Sequence, residues 1–127
     1  MTSEHFLPLL EAWRSLLWPD FVEHDGCVFR AKLDGKGEQT YRDWMAQTKS
    51  DRKQVEAVMN HLHIADVLGG VVESPSHEVV LVFGRLLRDL WTQKLSKDFP
   101  GRKFVVSFPE DHTDHVVEYE ITFYQAA

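Results

Sequence analysis

The chain has 127 residues, of which 43% are hydrophobic, 12% aromatic and 27% charged, and its formal net charge is −6. That length buries one core, so a single globular domain over 1–127 is expected. The acidic balance, with no basic stripe, argues against nucleic-acid and anionic-membrane partners.

Met1 to His5 lacks the basic-then-apolar layout of a signal peptide, and no apolar run approaches the ~18 residues of a membrane span. A cytoplasmic location is therefore expected. The first element reads as an amphipathic helix: Phe6, Leu9, Leu10, Trp13, Leu16 and Leu17 follow the helical period. Pro8 fits only near the start of such a helix, and Trp18-Pro19 closes it.

Asp25-Gly26 is a turn signal between Phe21-Val22 and Cys27-Val28-Phe29, and 27–33 reads as a short strand. Cys27 is the only cysteine, which excludes an internal disulfide. Its apolar neighbours suggest a buried, inert thiol rather than a nucleophile paired with histidine. Gly35 and Gly37 mark a loop.

A short helix is expected over 40–49, with Thr40 and Asp43 as a capping pair and Tyr41, Trp44 and Met45 on its apolar side. Asp51 caps the next helix, whose apolar face is Val55, Val58, Met59, Leu62 and Ala65, and Gly69-Gly70 stops it. Ser74-Pro75 opens another helix, with Val80, Phe83, Leu87, Leu90 and Trp91 as its buried stripe. Gly84 lies in that stripe, where it would let another element approach closely.

The last quarter alternates in the manner of strands. Phe104, Val106 and Phe108 form one apolar face, and Val117, Tyr119, Ile121 and Phe123 another. The fold class follows: α+β, with about four helices packed on a small antiparallel sheet. Its strands are 103–108 and 116–124, with 27–33 as a candidate third.

The chemistry centres on the run Asn60-His61-Leu62-His63-Ile64-Ala65-Asp66. On a strand, His61 and His63 point to one face and could share a metal ion. On a helix they lie about 200° apart and cannot. The Asp51 cap, the helical spacing and the Gly-Gly stop favour helix. The helix leaves His63 at the edge of the apolar face, about 80° from Val55. Asp66 lies inside the face and His61 on the opposite flank. His63 and Asp66 are then natural partners, a carboxylate at such a position needing donors from His63, Arg85 or Arg88. His63, Asp66, His61 and Asn60 are the catalytic candidates, against the blander reading of a structural contact at a helix end.

The segment Glu110 to His115 offers Asp111, His112, Asp114 and His115 as weak metal candidates, although such hairpin tips are usually just solvated. Glu118, Glu120, Thr122 and Tyr124 form a polar strand face, open to docking or to solvent. Trp13, Trp44 and Trp91 sit on expected core faces, with Trp18 less clearly placed. There is no phosphate loop, dinucleotide fingerprint, nucleophile elbow, His-Glu-x-x-His or Cys-x-x-Cys. The expectation is a non-catalytic interaction or regulatory module without a cofactor, whose partner is another protein or a second copy in a homodimer. The alternative is a small-ligand or metal-dependent enzyme using His63 and Asp66.

Overall fold

A computed structural model describes residues 2–126; Met1 and Ala127, the outermost positions of the expected domain, lie outside the described residues. The alternating segments at the C-terminal end organise the rest. Strand β4 (Phe104–Ser107) pairs antiparallel with β5 (Glu120–Gln125), in a register that sets Phe104 opposite Gln125 and Ser107 opposite Thr122. Tyr119, Ile121 and Phe123 are fully buried on one side of this pair, as period-two patterning requires. Residues 116–118, expected as strand, form a single 3₁₀ turn instead.

The third strand of this sheet is β3 (Leu62–His63), not 27–33. Leu62 lies opposite Ile121 and His63 opposite Glu120, so the strand order is β3-β5-β4. The 27–33 expectation holds only in part: β1 (Val22–His24) and β2 (Cys27–Phe29) form their own hairpin. Its turn is Asp25-Gly26, both residues at positive φ, the conformation that a two-residue hairpin loop demands. The chain is therefore an α+β fold with a two-stranded and a three-stranded antiparallel sheet.

Five helices surround these sheets. Helix α1 (Ser3–Leu17) is capped by Thr2, whose hydroxyl accepts from the His5 amide. Pro8 sits in its second turn, where solvent can satisfy the backbone groups that proline leaves unpaired. Helix α2 (Gly35–Gln47) begins earlier than expected, because the Asp34 carboxylate caps it by accepting from the Gly37 amide. Gly35 and Gly37 are thus helical, and Thr40 is no cap; its hydroxyl donates to Lys36 O. Helix α3 (Arg52–Met59) has the expected Asp51 cap, with Gln54 donating to that carboxylate from both backbone and side chain.

Helix α4 (Ile64–Leu68) is separate from α3, which corrects the expected single helix through the histidine run. Helix α5 (His77–Asp98) starts two residues past Pro75 and is capped by Ser76, because Ser74 adopts a left-handed φ incompatible with opening a helix there. Its buried stripe contains Val80, Gly84, Leu87, Trp91 and Leu95. A Cβ at Gly84 would overlap the Phe108 ring, so glycine here permits the helix to meet the residue after β4.

The principal core joins Phe21, Val28, Ile64, Leu87, Trp91, Tyr119, Ile121 and Phe123, with Phe123 edge-on to both Phe21 and Trp91. A second cluster gathers Cys27, Phe29, Tyr41 and Val55, flanked by Trp44 and Met59. Helix α1 joins the main core only through its C-terminal half. Trp13 packs edge-on to Phe83 at 5.6 Å, and the Trp91 indole donates to Leu16 O at 2.8 Å.

Candidate metal centre

The geometry of the histidine run follows from why α3 stops. Asn60 is the helix C-cap and is buried, with its amide spent on tertiary bonds. Its Oδ1 accepts from the Arg30 amide at 3.3 Å, and its Nδ2 donates to Val28 O at 2.9 Å and Phe123 O at 3.4 Å. These bonds hold the chain beside β2 and β5, and Leu62 and His63 pair with β5 rather than continuing the helix. Asn60, a catalytic candidate from sequence, is therefore a buried structural brace.

Beyond it the backbone is extended, so His61 and His63 project the same way, their ring centroids 5.4 Å apart. This overturns the helical phase that separated them. The cross-strand neighbour of His63 is Glu120, and His63 Nε2 lies 3.0 Å from Glu120 Oε1. The His63–Asp66 couple is not formed: Asp66 lies exposed in the first turn of α4, not on the core face. Arg85 and Arg88 are engaged elsewhere, by Glu110 O and Asp89.

Each histidine is oriented by a backbone carbonyl. His61 Nδ1 contacts Val58 O at 2.5 Å, and His63 Nδ1 contacts Val117 O at 3.1 Å. A carbonyl only accepts, so both Nδ1 atoms carry the hydrogen. In a neutral ring His61 Nε2 then presents a lone pair, whereas His63 Nε2 already meets Glu120 Oε1, a contact that a shared ion would replace. A ligating histidine is commonly fixed in this way, the other ring nitrogen donating to a carbonyl. One ligand atom from each of His61, His63 and Glu120 lies within 4.8 Å of the others. A tetrahedral ion about 2.1 Å from each donor spaces its ligands about 3.4 Å apart, so a small swing of these partly exposed side chains closes the set. Two imidazoles and one carboxylate suit Zn²⁺, Ni²⁺ or Fe²⁺, with at least one position left for water.

The loop candidates do not converge. Among the described residues, Asp111, His112, Asp114 and His115 form no ligand cluster. His112 stacks on His77 instead, at 5.6 Å. Tyr119 Oη pins this loop, accepting from the Thr113 amide at 3.1 Å and lying 2.8 Å from His77 Nδ1. The polar strand face is also less open than expected: Thr122 donates to Ala57 O, and Lys53 lies over the Tyr124 ring.

Sequence reasoning missed Glu56, a buried carboxylate on α3. It accepts from the Val28 amide, the Gln125 amide and Gln125 Nε2, all within 2.8–2.9 Å. No local signal marked it: Glu56 lies about 100° round the helix from Val55, and its partners come from distant segments. Cys27 is fully buried, as expected; burial, reinforced by the charge of Glu56, pushes its thiol from 9.0 up to about 11, which suppresses nucleophilicity. No protein-family model matches the chain, and neither a curated protein nor a solved structure is significantly similar to it.

Proposed function

We propose that this domain is a metal-binding interaction module without catalysis of its own, and that His61, His63 and Glu120 hold the ion. The observation that carries the reading is the convergence of the three side chains: one ligand atom from each of His61, His63 and Glu120 lies within 4.8 Å of the others, while a backbone carbonyl holds Nδ1 of each ring. An ion there would tie the connection after α3 to β5, stiffening the seam between helix and sheet. His61, His63 and Glu120 line neither the cleft of about 500 Å³ beside α1 nor that of about 460 Å³ beside Glu56, which supports a role outside catalysis. Calorimetric titration with Zn²⁺ tests the reading. One ion per chain is expected, with weaker binding as pH falls because protons compete for imidazole. His61→Ala, His63→Ala or Glu120→Gln should each weaken binding at least about tenfold. An isotherm unchanged by all three substitutions refutes the assignment.

A second reading, self-association, is favoured by helix α1. Phe6, Leu7, Leu9 and Leu10 are exposed, and beside them lies an apolar groove of about 290 Å³ between Leu9, Ala12, Val67 and Val71. The stripe Phe6-Leu9-Leu10-Trp13 is symmetric about its midpoint. An antiparallel copy therefore sets Phe6 against Trp13 and Leu9 against Leu10, an isologous match. Light scattering should give a dimer that Leu10→Glu converts to monomer; a monomer at every concentration up to the millimolar range ends this reading.

A further inference from the structure

One cleft lies away from the histidines. It has a volume of about 500 Å³, within the range of small-molecule sites, and opens between the end of α1 and the segment after β2. Pro19, Val22 and Leu16 supply apolar wall; Ser15, Arg30 and Lys32 supply polar groups. Arg30 is the unusual member. Its Nε is sealed from solvent with no hydrogen-bond partner, and among the described residues its guanidinium makes no ion pair. Asp20 also lines the cleft, but its carboxylate is turned to solvent and sits 3.7 Å from Arg14.

A half-buried cation without a counter-charge is costly, because burial removes water without replacing its hydrogen bonds. Burial alone pushes the Arg30 guanidinium below its ordinary range, in keeping with a site that lacks a neutralising partner. The fold nevertheless fixes this residue in place, since the Arg30 amide donates to the buried Asn60 side chain. Arg30 lines the cleft, and Lys32 is the other cation among its lining residues.

We propose that this cleft binds a small organic anion, its carboxylate or phosphate oxygens held by the Arg30 guanidinium and its body resting on the apolar wall beside Leu16 and Pro19. A planar guanidinium grips two such oxygens at once, and Lys32 adds a second charge at the rim.

The test is a nitrogen–proton NMR titration that reads the Arg30 Nε–H resonance in the wild type and the Ala31 backbone amide in the wild type and every variant. Succinate and inorganic phosphate are added separately at constant ionic strength, with sodium chloride as the reference salt. Succinate and phosphate distinguish a carboxylate ligand from a phosphate ligand. A saturable shift with either probe, absent with chloride, is expected. Arg30→Met should weaken binding at least about tenfold and Lys32→Ala less, while Lys36→Ala, outside the cleft lining, leaves it unchanged. Arg30→Met should also match or exceed the wild-type melting temperature without ligand, because it removes an uncompensated charge. Unsaturable drift with both probes overturns the proposal. So does a response equally weakened by Lys36→Ala, or a sharp fall in melting temperature for Arg30→Met with binding retained.

Discussion

Two polar clusters connect α3 and the residues after it to β5, and they are built on opposite principles. Glu56 and Asn60 are buried, and their side-chain bonds reach β2 and β5 at once. His61, His63 and Glu120 lie at the surface a few residues further on, with the Glu120 side chain 50% exposed. In the first cluster the carboxylate accepts from three donors that belong to the fold itself. In the second, Nδ1 of each imidazole is fixed by a carbonyl, while His63 Nε2 meets only the half-exposed Glu120 carboxylate. A filled buried cluster specifies the fold, and an oriented but open one can take a ligand.

The largest test of this contrast is Glu56→Ala, which orphans the Val28 and Gln125 amides. It should lower unfolding free energy by about 3 kcal/mol or more in urea denaturation. A loss below about 1 kcal/mol would show that the buried carboxylate is not a structural joint. Next comes pH. The folded Cys27 thiol titrates near 11, whereas the unfolded one titrates near 9.0. Between those values the unfolded chain has lost a proton that the folded chain keeps, so stability falls as pH rises. The loss reaches about 2–3 kcal/mol by pH 11, and Tyr41, shifted the same way by burial, adds to it. Chemical denaturation from pH 8 to 11 measures the slope, which Cys27→Ala should flatten. Asn60→Ala should cost about 2 kcal/mol, since Val28 O and the Arg30 amide lose their partner. Smallest is the open cluster: metal-free His63→Ala should change stability by about 0.5 kcal/mol or less, as exposed pairs do. A larger loss would move that cluster into the structural class and weaken the case for an ion.

The contrast also explains what was legible in the sequence. The C-terminal strands, the Asp25-Gly26 hairpin, the Asp51 cap and the close approach at Gly84 each rest on local pattern, and each was readable. The break at Asn60 was not. Val55, Val58, Met59, Leu62 and Ala65 keep the helical period straight through it, so local pattern argued for one helix. What ends α3 is the engagement of Asn60 with Val28 and Phe123, residues 32 and 63 positions away. Because the break sits beside the two histidines, that one tertiary interaction decided whether they share a face. Glu56 and Arg30 were invisible for a related reason: their partners, or lack of them, exist only once distant segments meet.

The place of β5 in the sheet has a consequence for synthesis. It is the middle strand, yet it follows every helix and every other strand in the chain. Glu56 of helix α3 is made 69 residues before the Gln125 amide that it must bind. While the ribosome builds the intervening segments, the Phe21, Ile64 and Trp91 side chains have no strand to close over them. Core closure must await translation of residues 120–125, which favours late, concerted folding over stepwise assembly as the chain emerges.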